Sequence, residues 1–309
     1  MSERRARRVY DRAFAAVAEQ FVDMQPLEPI PGWRFGSTPP GLRASIRRVL
    51  WKLGRVTHVE APVSLDWHLG LRLEQRLGDD WSRCLYVGGA FEPNELAFVH
   101  RQLAAGDVFV DVGANQGLYT MLASAIVGTS GRVVAVEPSS RDRQRLLANL
   151  RHNGLERVTV SDAAMDSSAG VASLRIADEQ HAGHNTLGDF AYADVRTELV
   201  ERVATMRLDD LLEREGVTAV HMLKIDVEGA ETRVLAGAER TLNRYRPVIL
   251  LELQDATLRL QGSSSAELLS LLDRFGYDVL PFDDADGMPT TRRPRSDDDL
   301  NVVALPKAL

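Results

Sequence analysis

The most constraining feature of this chain is the segment from Val108 to Tyr119. An apolar run, Val108–Val112, stops at Gly113, passes Asn115 and Gly117, and leads at once into a helical pattern. A strand, a glycine turn and a helix in that order open a βαβ unit, the building block of parallel sheets covered by helices. Gly113 and Gly117 permit backbone shapes and close approaches that a Cβ would obstruct. Such a turn is a ledge on which a ligand can lie against the strand's carboxyl end.

The same rhythm continues along the chain. Apolar runs at 132–136 and 158–161 read as buried strands, separated by helices at 118–127 and 141–153. Runs at 219–225 and 248–253 supply two more strands, with a helix over 230–243 between them. A helix at 266–275 precedes two closing strands, 277–282 and 301–305, around a charged loop at 283–299. The last strand is expected to run in reverse, because a hairpin needs no crossover helix. The loop, acidic at its ends and carrying Arg292, Arg293 and Arg295 at its centre, reads as a solvated excursion, the alternative being a wall of a substrate entrance. The expected fold is α/β, a Rossmann-like sheet, mostly parallel with a reversed final strand, over 84–309. Residues 1–83 form a helical N-terminal extension and lid. In that extension Ile46, Val49, Leu50 and Leu53 recur at helical spacing, with Arg47, Arg48, Lys52 and Arg55 in the other positions. This predicts a basic amphipathic helix whose apolar side packs on the main domain rather than on a membrane surface.

Composition narrows the function classes. Of 309 residues, 44% are hydrophobic and 26% charged, so the chain has the makings of an ordinary soluble globule with a substantial core. A net charge of -7 argues against a nucleic-acid binder working through a global positive field and favours a small-molecule partner. Cys84 is the only cysteine, which excludes an intrachain disulfide and fits the cytoplasm. No stretch approaches the roughly 20 apolar residues that span a bilayer, so no integral membrane association is expected. The basic N-terminal flank, Arg4, Arg5, Arg7 and Arg8, is not followed by a secretory apolar core.

The second strand ends in Glu137 and Pro138. A carboxylate there can accept hydrogen bonds from both hydroxyls of a ribose. The turn departs from the dinucleotide fingerprint Gly-x-Gly-x-x-Gly, whose middle glycine admits a pyrophosphate, because Asn115 occupies that position. An adenosyl ligand without phosphates fits better, and an NAD-dependent dehydrogenase is the weaker enzyme reading. The segment from Lys224 to Gly229 puts the acidic groups Asp226 and Glu228 at the carboxyl end of the fourth strand, where open α/β sheets present their ligands. Glu231 is read instead as favouring the N-terminus of the helix that follows.

Taken together, Gly88 to Glu95, Asp111 to Gly117, Val136 to Pro138 and Lys224 to Glu231 resemble the FkbM family of methyltransferases, in order from about Cys84 to Leu253. The resemblance implies a class I methyltransferase sheet and transfer of the methyl group of S-adenosylmethionine, typically to a hydroxyl of a small molecule such as a sugar or specialised metabolite. By that resemblance Asp111, Gly113, Asn115 and Gly117 border the methionine part of the cofactor. Glu137, beside Pro138, binds the ribose, and Asp162 and Ala163 lie beside the adenine. Glu92 either reaches the cofactor or reaction chamber or caps the helix after Pro93. An alcohol is a poor nucleophile while protonated, so a base is useful, and Asp226, Glu228 and His184 are the candidates, Asp226 first. His184 sits in a polar interval, 178–200, expected to shape the acceptor pocket together with the extension. Asp226 and Glu252 could also offer oxygens to Mg²⁺, but two carboxylates do not make a hard-cation site, and a metal stays unassigned. The reading from a different class is a catalytically silent adenosyl-binding module.

Overall fold

A computed structural model describes residues 3–295 and 299–308. In chain order its strands are β1 (Val63–Asp66), β2 (Arg72–Gln75), β3 (Val108–Val112), β4 (Arg132–Val136) and β5 (Thr159–Ser161), followed by β6 (Ala164–Met165), β7 (Gly170–Ala177) and β8 (Thr197–Met206). The remaining four are β9 (Met222–Ile225), β10 (Val248–Gln254), β11 (Tyr277–Pro281) and β12 (Asp299–Pro306). The main sheet runs β11-β12-β10-β9-β3-β4-β5. Only β12 is antiparallel to its neighbours, as the hairpin argument requires.

Parallel strands are covered on both faces, which is why their sequences are almost continuously apolar. Side-chain alternation then divides the core in two. Phe109, Val133, Ala135, Met222 and Leu250 face one side, packed against the helices Leu118–Val127 and Pro93–Gln102. Val110, Val112, Val134, Leu223, Ile225 and Ile249 face the other, against the helices Leu208–Arg214, Glu231–Ala236 and Ser265–Arg274.

The extension does not form a core of its own. Trp51, Leu65, Leu73 and Trp81 belong to the same buried cluster as Phe109 and Met121. It is also not wholly helical, since β1 and β2 make an antiparallel hairpin between the helix Leu42–Thr57 and the sheet domain. The 83/84 junction falls within helical backbone, Asp80–Ser82 running directly into the wider-turned Arg83–Gly88. The interval after β5 holds a further small sheet, β6-β8-β7. Its strand β8 carries Glu198 and Arg202 on solvent-facing positions, and that charge disguises it as a polar loop. The helix expected over 230–243 is two helices, Glu231–Ala236 and Glu239–Tyr245. The second begins afresh on the buried carboxylate of Asp209, which accepts from the backbone N–H of Arg240 (3.0 Å) and Thr241 (2.9 Å). Within the charged loop Arg34 makes a two-pronged pair with Asp284, and residues 296–298 lie outside the described residues.

Candidate active site

The turn after β3 is shaped by what glycine lacks. Gly113 has φ 85, and a Cβ on it would sit 1.8 Å from the carbonyl oxygen of Asp226. No other residue fits, so the β3 turn and the end of β9 are drawn together. Gly117 (φ 95) is similar, its Cβ position lying 2.4 Å from Leu146 Cδ1. Between them Asn115 adopts a left-handed φ of 48. Its N–H donates to Glu137 Oε2 at 2.8 Å, while the N–H of Ser139 donates to Glu137 Oε1 at 2.8 Å. Glu137 thereby clamps the ends of β3 and β4 together. Burial pushes its pKa up to about 8, with Asp142 adding repulsion and the two N–H groups opposing. A carboxylate has about four acceptor positions, so two remain for a ligand.

Glu137 and Pro138 line a slot with Gly113, Asn115 and Val136 on one side and Met165, Leu174 and Leu187 on the other. The slot's lining contains the carboxylates of Glu137, Asp226 and Glu228 and no lysine or arginine. Neither Asp162 nor Ala163 reaches it. The chain turns after β5, leaving Asp162 exposed and Ala163 packed in the core, and β6 brings Ala164 and Met165 to the slot instead.

Through Gly113, Asn115, Asp226 and Glu228 the slot opens into a chamber of about 480 Å³. Phe35, Asp80 and Trp81 of the extension form part of its wall, and His181 to His184 and Tyr192 of the polar interval form another. At its floor is a buried charge cluster. Asp111 and Lys224 are register partners on β3 and β9, so their side chains share one face of the sheet. Lys224 Nζ lies 2.9 Å from Asp226 Oδ2, 4.0 Å from Asp111 Oδ1 and 4.8 Å from the centre of the Tyr119 ring. Burial alone would lower its pKa, but the charges of Asp226, Asp111 and Glu92 raise it, so Lys224 is a fixed cation. Asp111, fully buried, also accepts from Thr120 Oγ1 at 2.6 Å.

Glu92 does not cap the helix Pro93–Gln102. It occupies the capping position with φ 42 and makes no side-chain cap bond. Its Oε2 accepts from the Tyr119 hydroxyl at 2.6 Å and its Oε1 from Asn301 Nδ2 at 3.1 Å. The side chain is turned to the chamber because that is where its donors are. Burial first, and then the like charge of Asp226, raises its pKa.

His184 and Glu228 meet across the chamber wall, with Nδ1 3.1 Å from Glu228 Oε1. The His184 ring stands edge-on to Tyr192 at 5.0 Å. Burial works to lower the imidazole pKa, but the bond and charge of Glu228, helped by Asp80 and Asp226, raise it overall. Glu228 has φ 52, a left-handed shape that costs on the order of 1 kcal/mol for a residue with a side chain. Its carbonyl is held by Thr186 Oγ1 (3.0 Å) and Gln261 Nε2 (2.8 Å). Glu231, by contrast, is fully buried away from the chamber, where its Oε1 accepts from the N–H groups of Val227 and Gly229 at the start of the next helix.

The structure thus gathers Glu92, Gly113, Asn115, Asp226, Glu228 and His184 around one chamber, with Glu137 and Pro138 in the adjoining slot. Lys224 and Tyr119 are site residues to which the sequence reading gave no role. The signal lay in a charge inside each of two otherwise apolar strands, Asp111 and Lys224, and in the rarity of lysine in this chain. Among the described residues no group of three or more His, Cys, Asp or Glu side chains converges as a metal site. Asp226 is engaged by Lys224, and the donor set does not fit a resident Mg²⁺.

The family model for the methyltransferase FkbM domain matches residues 111–279. The chain is 30% identical over 205 residues to the 31-O-demethyl-FK506 methyltransferase FkbM of Streptomyces tacrolimicus, covering 58% of this chain and 75% of that protein. It is 24% identical over 222 residues to the 2-O-methyltransferase NoeI of Sinorhizobium fredii, covering 66% of this chain and 86% of the relative. Among solved structures, the methyltransferase FkbM from Methylobacillus flagellatus aligns with a TM-score of 0.40 at 18% identity, over 74% of this chain and 56% of that one. With the matched span exceeding half of the chain, this protein belongs to the family of FkbM-domain methyltransferases.

Proposed function

We propose that this methyltransferase uses S-adenosylmethionine and methylates a hydroxyl oxygen of a small molecule, such as a sugar or a specialised metabolite. The observation that carries the cofactor assignment is the slot lined by Glu137, Asp226 and Glu228 with no lysine or arginine. Such a lining repels the pyrophosphate of a dinucleotide and suits a sulfonium cation. The buried Asn115 Oδ1, which has no hydrogen-bond partner, is an acceptor placed for a cofactor donor such as an ammonium. Glu137, with two acceptor positions remaining, would hold the ribose, and Met165, Leu174 and Leu187 supply apolar walls for a base. When bound, S-adenosylmethionine supplies an electrophilic methyl group.

The chain's own contribution is to orient the acceptor and take its proton. Holding reacting groups in line supplies much of the acceleration in such a displacement. With Nδ1 committed to Glu228, Nε2 of His184 is the ring nitrogen left to accept a hydroxyl proton. His184 is therefore preferred to Asp226, whose carboxylate is tied to Lys224. Glu228 orients His184, and Lys224 holds Asp226, Asp111 and Glu92 in place. The aromatic and acidic chamber wall suits a ring carrying hydroxyls and disfavours a polyanion such as a nucleic acid. The names of the FkbM and NoeI relatives refer to an oxygen position, which supports an oxygen acceptor here.

The test is incubation with S-adenosylmethionine and a panel of monosaccharides and cyclic diols, following S-adenosylhomocysteine and a product heavier by one methylene. Glu137→Ala is expected to weaken cofactor binding about tenfold, the loss of two hydrogen bonds. Cofactor binding without product across the panel would instead mark a silent adenosyl-binding module. Binding of NAD(H) in preference would overturn the cofactor assignment.

A further inference from the structure

The helix Leu42–Thr57 is mounted the opposite way round from its amphipathic pattern. The side packed on the protein is Ala44, Arg47, Trp51 and Gly54. Small residues let the helix come close, and the Arg47 guanidinium, 1% exposed, is held through its two Nη atoms by the carbonyls of Phe21 and Val87 and by Asp23. The apolar residues lie outside: Leu42 and Val56 are 77% and 75% exposed, Val49 56% and Leu53 45%. At spacings of three, four and seven these form one stripe along the helix.

The stripe is bordered on one side by the first helix, Glu3–Glu19. Arg7 donates to the carbonyl of His58 at 2.5 Å and Arg43 to that of Gln20 at 3.2 Å, so the two helices run antiparallel. Tyr10 and Val17 of the first helix are half-exposed and widen the apolar surface. On the other side, one residue before Val49 and one before Leu53, stand Arg48 and Lys52, exposed and without an ion pair among the described residues. The helix carries Arg43, Arg47, Arg48, Lys52 and Arg55 and no acidic residue, on a chain whose net charge is -7.

We propose that this face docks the protein on an anionic lipid bilayer, with the stripe of Leu42, Val49, Leu53 and Val56 in the interface and Arg48 and Lys52 among the headgroups. An apolar stripe flanked by cations is what an interfacial helix presents, and neither helix is long and apolar enough to cross the membrane. Charge selects the occupant. A second copy would press this helix against its own equivalent, cation against cation with no carboxylate on it to answer, whereas anionic headgroups complement it.

The full-length protein is sedimented with vesicles of phosphatidylcholine alone and of phosphatidylcholine with about 30% phosphatidylserine, a level typical of an anionic leaflet. Binding is expected only to the anionic vesicles, weakening as salt screens the headgroups. Val49→Asp with Val56→Asp, and separately Arg48→Glu with Lys52→Glu, should each reduce partitioning on the order of tenfold or more. Because all four side chains are exposed, circular dichroism and melting should match the parent. Equal binding to both vesicle types, or to neither, overturns the proposal. So does a parent dimer in ultracentrifugation that the valine variant converts to monomer without any change in vesicle binding, which would assign the face to a second copy.

Discussion

The residues of the chamber work in pairs, and each pair has a measurable consequence. His184 has its pKa raised chiefly by Glu228 against the effect of burial. If Nε2 is the base, kcat/KM should rise with pH along a limb whose pKa lies above the ordinary 6.5 of histidine. Glu228→Gln removes the raising charge and leaves burial to dominate, so the limb should move to lower pH. A limb that stays in place in the variant would remove His184 from the role of base. Lys224 is the cation that reconciles Asp226, Asp111 and Glu92 in one buried cluster. Lys224→Met keeps the stem and deletes the charge, leaving the buried Asp111 with no partner cation, while Asp226, its side chain 39% exposed, keeps access to water. A loss of about 3–5 kcal/mol in chemical denaturation is expected, because breaking a buried pair strands the remaining charge. A loss under about 1 kcal/mol would mean that the carboxylates are neutral and that Lys224 matters less to the fold than its position implies.

Between elements, side-chain carboxylates tie together backbone ends that the strand and helix ladders leave open. Glu137 joins the ends of β3 and β4 through two N–H groups, and Asp209 joins the helix Leu208–Arg214 to the start of the helix Glu239–Tyr245. Asp209 is not among the residues that line the slot or the chamber, so its effect should be on stability alone. Asp209→Ala is expected to cost about 2 kcal/mol, the upper range for a lost helix cap, with methyl transfer per folded molecule unchanged. Altered KM at full folding would show that this junction communicates with the site. The two ties differ in legibility. A carboxylate at the end of the second strand is recognisable from its place in the βαβ pattern, whereas Asp209 lies some 30 residues from the groups it binds and has no local signature.

For the molecule as a whole, several buried acids have folded-state pKa values above their ordinary ones: Glu137 at about 8, Glu95 and Glu231 at about 7, and Asp79 at about 6, all driven first by burial. Between about pH 4.5 and 8 the native chain therefore holds protons that the unfolded chain has released. Stability must fall as pH rises through that window. His184, raised from its ordinary value, adds to the trend, since its contribution is present below pH 6.5 and is lost as pH rises through its folded pKa. Calorimetry of the ligand-free protein should give a higher melting temperature near pH 5 than near pH 8. The opposite slope would show that these carboxylates are ionised and paired in the native state.

Local order in the chain determined the sheet. Strand, glycine turn and helix repeat within a few residues, and burial on both faces writes itself as unbroken apolar runs such as Val133–Val136 and Val248–Leu251. The reversed last strand followed from the hairpin alone. The sequence also determined the ledge at Gly113 and its partner Glu137, because both stand at strand ends, where a parallel sheet always opens. What it could not determine was which side chains meet across the sheet or which face of a helix is buried. Asp162 and Ala163 were displaced from the slot by a turn that hands the position to Ala164 and Met165. Glu92 left the capping role because Tyr119 and Asn301 offered it better donors. The helix Leu42–Thr57 packs through Arg47, because carbonyls and a carboxylate distant in sequence anchor the ends of that guanidinium. In each case the deciding partner is brought near only by the tertiary fold, so periodicity, which sees a few residues at a time, had no access to it.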